Sequence, residues 1–387
     1  MRTPSNLRLL VVRLGAMGDI LHALPAVTAL RQAHPEWVID WVVEPRWQAL
    51  LTAEQTAEKL ENRGPQQQVL AAGVESRSPA QPLIDHLHFA PTKEWRKAPF
   101  SRQTLYEIKA LRAALRAREY DAVVDLQGAI RSAVVARLAG CQRLIGEAEP
   151  RERAARWLFS ERVATRGAHV IEQDVELASA IAGDRLAPVA PWLPVDPAAE
   201  AWADTILPPA MSPPAVLINP GAGWGAKRWP AERYAAVAQG LVERGCRVLV
   251  NAGPGDEPLA EIIVHGTGCA VTPLSCTLAQ LIALTRRVAL AVAGDTGPLH
   301  LACALGRPVV GVYGPTDPSR NGPFGTRFEV LRSPRSRRDH SRHKAPEAGL
   351  LTIQPEEVLR AADRLLYPET TAKITAETEP GTASETA

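Results

Sequence analysis

The sequence predicts an α/β protein with two Rossmann-like domains, each built on a parallel sheet. Both halves of the chain open with an apolar strand, a glycine-bearing turn and a helix, at residues 7–31 and 215–244. Short apolar strands then alternate with helical patterns, which is typical of βαβ units. At 387 residues the chain is also long for one domain, since single cores stop growing near about 250–300 residues.

The first half contains the following predicted elements. Strands are predicted at residues 7–14, 39–43 and 122–126, and helices at residues 19–31 and 104–118. Gly15–Gly18 interrupts the first strand, and Asp19 opens the helical pattern after it. Residues 52–82 differ in character, because their glutamines and their Gly-Pro and Ser-Pro pairs predict an exposed insertion, with a helix at 52–62.

The second half repeats the alternation. Strands are predicted at residues 215–219, 247–250, 288–293 and 308–313, and helices at residues 231–244, 277–286 and 355–366. Eight prolines within residues 187–214 predict the interdomain connection. The expected organisation is an N-terminal domain over 1–187, a Pro-rich linker over 188–214, a C-terminal domain over 215–354, a helix over 355–366 and a disordered tail over 367–387.

Composition excludes several classes of protein. The formal net charge is +2, which argues against bulk electrostatic binding to nucleic acid. The five cysteines are scattered and form no CxxC pair, so we expect neither a zinc site nor a disulfide framework. We expect a reducing, cytoplasmic setting instead. No signal-peptide pattern and no apolar run of about 20 residues is present, so we expect no membrane span.

The strand-to-helix turn at Gly15–Asp19 is the first candidate site. It lacks the middle glycine of the dinucleotide fingerprint, so alone it is a weak signal. Asp19 has two readings from its position. Aspartate is a favoured helix N-cap, and a carboxylate at the end of a strand can also act as a general base on a hydroxyl.

Two turns of the second half form the next candidate site. Residues 219–230 are rich in glycine and carry Lys227 and Arg228, which would place cations beside a diphosphate. Residues 292–302 read as a strand, the turn Asp295-Thr296-Gly297 and a helix start followed by His300. A helix N-terminus is a natural anion seat. Separately, each residue has an ordinary structural explanation, as a helix cap, a solvated cation or a core histidine.

Two basic segments complete the candidates. Residues 93–97 with Arg102 predict a basic, aromatic-bearing loop, and Arg131 follows the turn at 125–128, so these residues would suit an acidic sugar. The run over 332–344 could meet an anionic membrane surface or be a flexible loop.

Several motifs, taken together and in order, resemble the lipopolysaccharide heptosyltransferases, which are family 9 glycosyltransferases of the GT-B fold. The motifs lie at residues 11–25, 40–44, 95–98, 125–128, 294–300 and 313–318. The similarity spans about residues 7–366. The Met-Gly-Asp-Ile-Leu-His start and the Trp-Arg-Lys-Ala segment are closer to the heptosyltransferase I group than to heptosyltransferase II.

The resemblance implies two Rossmann-like domains that face a central cleft, the N-terminal domain binding the acceptor and the C-terminal domain binding the donor. It implies transfer of L-glycero-D-manno-heptose from ADP-heptose to the Kdo of Kdo-lipid A, with inversion, without a metal and without a cofactor. Asp19 matches the catalytic base. The donor-binding positions are Lys227, Asp295, Thr296, Gly297 and His300, and the acceptor-binding positions are Gly18, Trp95, Arg96, Lys97, Gln127 and Arg131. The expected place is the cytoplasm, with contact to the inner membrane through basic residues.

Other functions stay open at this point. The nearest is heptosyltransferase II or another family 9 transferase with a different acceptor. A GT-B-like nucleotide-sugar epimerase and a non-catalytic sugar-nucleotide binder are of other classes. An NAD oxidoreductase is less favoured, because the dinucleotide fingerprint is incomplete.

Overall fold

A computed structural model describes residues 6–53, 82–209, 213–339 and 344–368. The chain forms two compact units, one of residues 1–202 with 278–283 and the other of residues 203–277 with 284–387. The chain therefore leaves the first unit inside the predicted Pro-rich linker. A helix, α6 (Pro197–Ile206), lies at that place, and Asp196 caps its start by accepting from the Ala199 N–H at 2.8 Å.

The first unit is a parallel sheet covered by helices. Its strands are β1 (Arg8–Val12), β2 (Val38–Val43), β3 (His86–Phe89), β4 (Ala122–Asp125), β5 (Leu144–Glu147) and β6 (Glu161–Val163). Its helices are α1 (Met17–Ala33), α2 (Thr92–Lys97), α3 (Arg102–Ala117), α4 (Ile130–Leu138) and α5 (Val170–Ala182). The strand order is β3-β2-β1-β4-β5-β6, which is the doubly wound order with its switch point between β1 and β4.

The second unit repeats this topology. Its strands are β7 (Ala215–Asn219), β8 (Arg247–Asn251), β9 (Thr272–Leu274), β10 (Leu290–Gly294), β11 (Val309–Tyr313) and β12 (Phe328–Arg332). Its helices are α7 (Ala231–Glu243), α8 (Glu257–Gly266), α10 (Gly297–Ala304), α11 (Pro318–Asn321) and α12 (Pro355–Leu366), while α9 (Leu278–Thr285) contributes residues to both units. The order β12-β11-β10-β7-β8-β9 puts the switch point between β7 and β10.

Each sheet is parallel throughout, and its central strands are buried on both faces. This burial explains why β1, β7 and β10 read as continuous apolar runs in the sequence. The amphipathic helix α12 closes the second core, with Val358, Ala361, Ala362 and Leu365 buried against it. The two parallel α/β sheets confirm the predicted fold class.

Several local expectations were wrong or incomplete. Residues 93–97, expected as a loop, lie in helix α2, because Trp95 is buried and its indole N–H bonds to α3. Strand β5 and the edge strands β3, β6, β9 and β12 were missed, since strands of three to five residues carry little periodic signal. Most of the expected insertion at 52–82 and nearly all of the tail at 367–387 lie outside the described residues.

The described residues include no helix long and apolar enough to cross a bilayer. All five cysteines are described, and none forms a disulfide.

A buried ionic network anchors the edge of the first sheet. Asp40 on β2 is fully buried and accepts hydrogen bonds from Arg118 (2.8 and 3.1 Å) and from the Tyr120 hydroxyl (2.7 Å). His88 shares the same hydroxyl at 2.8 Å. Burial alone would raise the pKa of Asp40, but hydrogen bonds from His88, Arg118 and Tyr120 outweigh it and lower the pKa to about 2.

We expect this network to make stability acid-sensitive. Because the folded pKa of Asp40 lies below its unfolded value, its contribution is present above about pH 4 and is lost as the pH falls toward 2. A shift of this size corresponds to about 2 kcal/mol of unfolding free energy. Urea unfolding between pH 5 and 2.5 should show that the unfolding free energy of the wild type falls with pH more steeply than that of Asp40→Asn. Equal pH dependence of the two unfolding free energies would contradict this expectation.

Candidate functional site

The first candidate site lies at the switch point of the first sheet, where the chain passes from β1 into α1. Gly15 adopts a φ of +150° that L side chains rarely take, and a Cβ there would lie 2.6 Å from the Trp47 indole nitrogen. The turn therefore requires glycine. Gly18 lies in the first turn of α1 and is half-buried.

Asp19 occupies the third position of α1 rather than its N-cap, which is Ala16. The N-cap reading was therefore wrong in position, because the helix starts two residues earlier and Asp19 reaches back to it. The Oδ2 atom of Asp19 accepts from the Ala16 N–H at 3.0 Å, while Oδ1 lies 3.7 Å from the Arg13 guanidinium. The side chain is 36% exposed, so the carboxylate keeps a face open to a substrate.

A second turn at the same switch point follows β4. Asp125 is buried and holds this turn, accepting from the N–H groups of Gln127 (2.8 Å) and Gly128 (3.0 Å) and from the Ser132 hydroxyl (2.8 Å). The Gln127 side chain accepts from the Leu14 N–H at 2.8 Å, so it ties this turn to the turn after β1. Arg131 is exposed on the first turn of α4. The structure thus brings Asp19, Gln127 and Arg131 to one end of one sheet.

The segment expected to bind the acceptor contains one buried residue with a structural role and two exposed cations. Trp95 is buried, and its indole N–H donates to Glu107 of α3 at 2.7 Å. Arg96 and Lys97, the last residues of α2, are exposed. Trp95 therefore positions the helix, and the two cations are the groups free to meet an anion.

Sequence reasoning missed Asp174, a buried carboxylate on α5 next to this site. Its Oδ2 atom is buried without a hydrogen-bond partner. Its electrostatic neighbours are Arg13, Asp19, Glu147 and Asp125. Burial raises the pKa of Asp174 to about 7 against the opposing charge of Arg13. A polar residue on an apolar helix face was the available signal.

We expect Asp174 to make the first unit less stable at alkaline pH. Its folded pKa lies above its unfolded value, so stability falls as the pH rises from about 4 to 7, where the unfolded carboxyl ionises and the folded one stays protonated, and the loss reaches about 4 kcal/mol. Asp174→Asn should therefore raise the unfolding free energy at both pH values, and by more at pH 8.5 than at pH 5. Denaturant unfolding at the two pH values measures this, with Asp184→Asn, an exposed position, as the control. An equal gain at both pH values would contradict the expectation.

The second candidate site lies at the switch point of the second sheet. Lys227 ends a short 3-10 helix at Gly225–Lys227, and its ammonium forms an ion pair with the carboxylate of Asp295, which follows β10. The same ammonium lies 3.4 Å from the Asp295 carbonyl oxygen and 4.4 Å from the centre of the Trp224 ring. His300 Nε2 lies 3.2 Å from the other carboxylate oxygen.

The side chains of Lys227, Asp295 and His300 form one cluster, in which Asp295 and His300 are buried and Lys227 is half-buried. Burial raises the pKa of Asp295, but the His300 hydrogen bond and the Lys227 charge outweigh it and hold that pKa well below its usual range. Asp295 therefore stays ionised and fixes the ammonium in place. A fixed cation beside a helix start suits a diphosphate, since it needs no reorganisation when charge develops.

The start of α10 has no side-chain cap, contrary to the ordinary structural explanation of Asp295 and Thr296. Thr296 is the N-cap of α10, but its hydroxyl donates to the Gly294 carbonyl at 3.2 Å and makes no capping bond. Gly297 is the first helical residue, and Pro298 has no N–H to offer. Neither Asp295 nor Thr296 is thus explained as a side-chain cap.

Two further polar groups line the same sheet end. Asn219, at the end of β7, accepts from Asn251 at 3.0 Å, and its own amide nitrogen is buried without a partner. Tyr313, at the end of β11, has a buried hydroxyl without a hydrogen-bond partner. Arg228 does not join Lys227, since its guanidinium lies 3.4 Å from the Asp256 carboxylate.

The basic run at 332–344 has a structural component. Arg332 donates to the carbonyl oxygens of Gly314 (3.2 Å) and Thr316 (3.1 Å), and so holds the turn after β11. Arg338 pairs with Asp317, whereas Arg335 and Arg337 are exposed. Residues 340–343 of this run lie outside the described part of the chain.

Comparison with known proteins places the chain in a family. The model of glycosyltransferase family 9 (heptosyltransferase) matches residues 108–350. Lipopolysaccharide heptosyltransferase 1 of Escherichia coli K12 is 31% identical over 340 residues, covering 85% of this chain and 94% of that protein.

Solved structures agree with this assignment. The E. coli heptosyltransferase WaaC with ADP superimposes with a TM-score of 0.72 at 28% identity, covering 93% of this chain and all of that one. WaaC with ADP-2-deoxy-2-fluoro heptose gives a TM-score of 0.65 at 30% identity, over 85% and 94% of the two chains. The fold is therefore GT-B, and the chain belongs to glycosyltransferase family 9, the heptosyltransferases.

Proposed function

We propose that this enzyme transfers L-glycero-D-manno-heptose from ADP-heptose to the Kdo sugar of Kdo-lipid A, with inversion and without a metal ion. The observation that carries the proposal is the Lys227–Asp295–His300 cluster at the switch point of the second sheet. The similarity to a heptosyltransferase solved with ADP and with an ADP-heptose analogue supports the donor.

On the donor side, Lys227 offsets the negative charge that develops on the departing diphosphate. Asp295 keeps the ammonium in one place, and His300 keeps Asp295 in place. Thr296 and Gly297 supply the start of α10, where a phosphate finds partial positive charge. Among the described residues no group of three or more His, Cys, Asp or Glu side chains is arranged to hold a metal ion. We propose that Lys227 and the start of α10, rather than a metal ion, stabilise the negative charge that develops on the diphosphate.

On the acceptor side, Asp19 is the proposed base. Its open carboxylate face takes the proton from the attacking hydroxyl of Kdo as the new bond forms from that oxygen to the anomeric carbon. The bond from the anomeric carbon to the diphosphate breaks, and ADP leaves with the electron pair. Gly18, Gln127 and Arg131 shape this end of the first sheet, and Arg96 and Lys97 offer cations to an acidic sugar.

We also propose that the protein is cytoplasmic and acts at the cytoplasmic surface of the inner membrane, since its proposed acceptor is a lipid. The partners are the sugar nucleotide and the lipid-linked acceptor, with no nucleic acid.

The test is ADP release in the presence of EDTA with ADP-heptose and Kdo-lipid A. The expected result is stoichiometric ADP with a heptosylated product of inverted anomeric configuration. Arms with ADP-heptose alone and with a heptose-terminated acceptor accompany it.

Each other result overturns a defined part of the proposal. Conversion of ADP-heptose without acceptor would indicate an epimerase, and binding without turnover a non-catalytic binder. Preference for the heptose-terminated acceptor would indicate heptosyltransferase II activity. Loss of transfer in EDTA that Mg²⁺ restores would overturn the metal-independent step.

A further inference from the structure

The α2–α3 segment of the first unit exposes large apolar side chains beside cations. Phe100 is 90% exposed, Tyr106 69% and Leu105 55%. These values are unusual for a soluble surface, where large apolar residues rarely stand clear of their neighbours in a group.

The exposure belongs to a well-held structure. Ser101 caps α3 by accepting from the Thr104 N–H at 3.1 Å, and the Thr104 hydroxyl donates to the Ala98 carbonyl at 2.9 Å. The Trp95–Glu107 hydrogen bond joins α2 to α3. Phe100 therefore projects from a turn that is fixed on both sides.

The exposed residues of α3 follow the period of a helix. Thr104, Leu111 and Leu115 are buried toward the core. Arg102, Leu105, Tyr106 and Lys109 lie on the opposite side, at spacings of three and four residues. Together with Phe100, in the turn just before α3, they form one exposed surface, which we name the α2–α3 face.

The charge of this segment indicates the kind of partner. Residues 92–117 contain seven lysines and arginines against two glutamates, although the whole chain has a formal net charge of only +2. Exposed aromatic and leucine side chains framed by cations are the pattern of a helix that lies in a membrane interface and attracts anionic headgroups. The run at 332–339 offers exposed cations, but no large exposed apolar residue lies within it.

We propose that the α2–α3 face docks the enzyme on an anionic phospholipid bilayer, with Phe100, Leu105 and Tyr106 entering the headgroup region and Arg102 and Lys109 contacting anionic headgroups. This placement rests on the proposed function only in that a lipid acceptor brings the enzyme to a bilayer. The docking itself requires no sugar.

The test is co-sedimentation of the full chain with vesicles that contain no acceptor. The wild type should bind vesicles of phosphatidylcholine with phosphatidylglycerol and not vesicles of phosphatidylcholine alone, and binding should weaken with salt. Phe100→Ser/Tyr106→Ser and Arg102→Glu/Lys109→Glu should each lower the vesicle partition coefficient at least about tenfold. Arg335→Glu/Arg337→Glu, in the other basic segment, should bind as the wild type does.

Three results would overturn the proposal. These are no binding of the wild type to anionic vesicles, unchanged binding of both α2–α3 variants, or equal loss in the Arg335/Arg337 control. Circular dichroism and thermal unfolding report that the variants are folded. If the wild type binds the vesicles but transfers no heptose, the proposed function is refuted and the proposed membrane-docking surface is retained.

Discussion

Replacing Asp19 with asparagine should lower the rate of heptose transfer by about 10²–10⁴-fold, the range for loss of a general base. Asparagine keeps an oxygen that can accept from the Ala16 N–H, so the start of α1 should stay intact. Donor binding, measured by calorimetry with ADP, should stay within about twofold of the wild type, since the proposed donor site is at the second sheet and Asp19 is at the first.

The matched variant for this prediction is Asp19→Ala, which removes both the base and the hydrogen bond to Ala16. If both variants lose activity equally and only Asp19→Ala loses thermal stability, the chemical and structural roles of Asp19 are separated. Near-normal turnover of Asp19→Asn would remove Asp19 from the reaction.

Replacing Lys227 with methionine should have two effects with different causes. The buried Asp295 carboxylate would lose its cation, and breaking a buried ion pair costs about 3–5 kcal/mol. The departing diphosphate would also lose a fixed charge, which should lower the transfer rate by about 10²–10³-fold. Unfolding and steady-state kinetics measure the two effects separately.

The double variant Lys227→Met/Asp295→Asn distinguishes these effects. Asparagine removes the unpaired buried charge, so stability should return toward that of the wild type while the rate stays low. Recovery of both would show that Lys227 acts only by neutralising Asp295. Arg228→Met, which loses a pairing with Asp256 outside this group, is the control and should keep most of the rate.

The turns after β1 and β10 are features that could be predicted from the sequence alone. A buried parallel strand must be apolar on both faces, and a strand-to-helix turn needs glycine, so both signals stay local and readable in the sequence. The same local chemistry singled out Asp19, Lys227 and Asp295.

Edge strands and pairings are different, because they depend on neighbours far along the chain. The edge strand β3 has only four residues, and it is recognised as a strand by its pairing with β2. The Lys227–Asp295 pair joins residues 68 positions apart, and the Gln127–Leu14 bond joins residues 113 positions apart. No local pattern encodes such separations.

By itself, the sequence determined the α/β class, the two-part chain and the position of the two glycine turns, because these follow from periodicity and residue chemistry along a few positions. The family was indicated by the resemblance of its ordered motifs. The tertiary structure decided what each side chain does. It buried Trp95 as an anchor and exposed Phe100 beside it, left Asp19 with an open face, and fixed Lys227 on Asp295. Burial and charge pairing belong to contacts across the fold, so they become definite only when the sheets assemble.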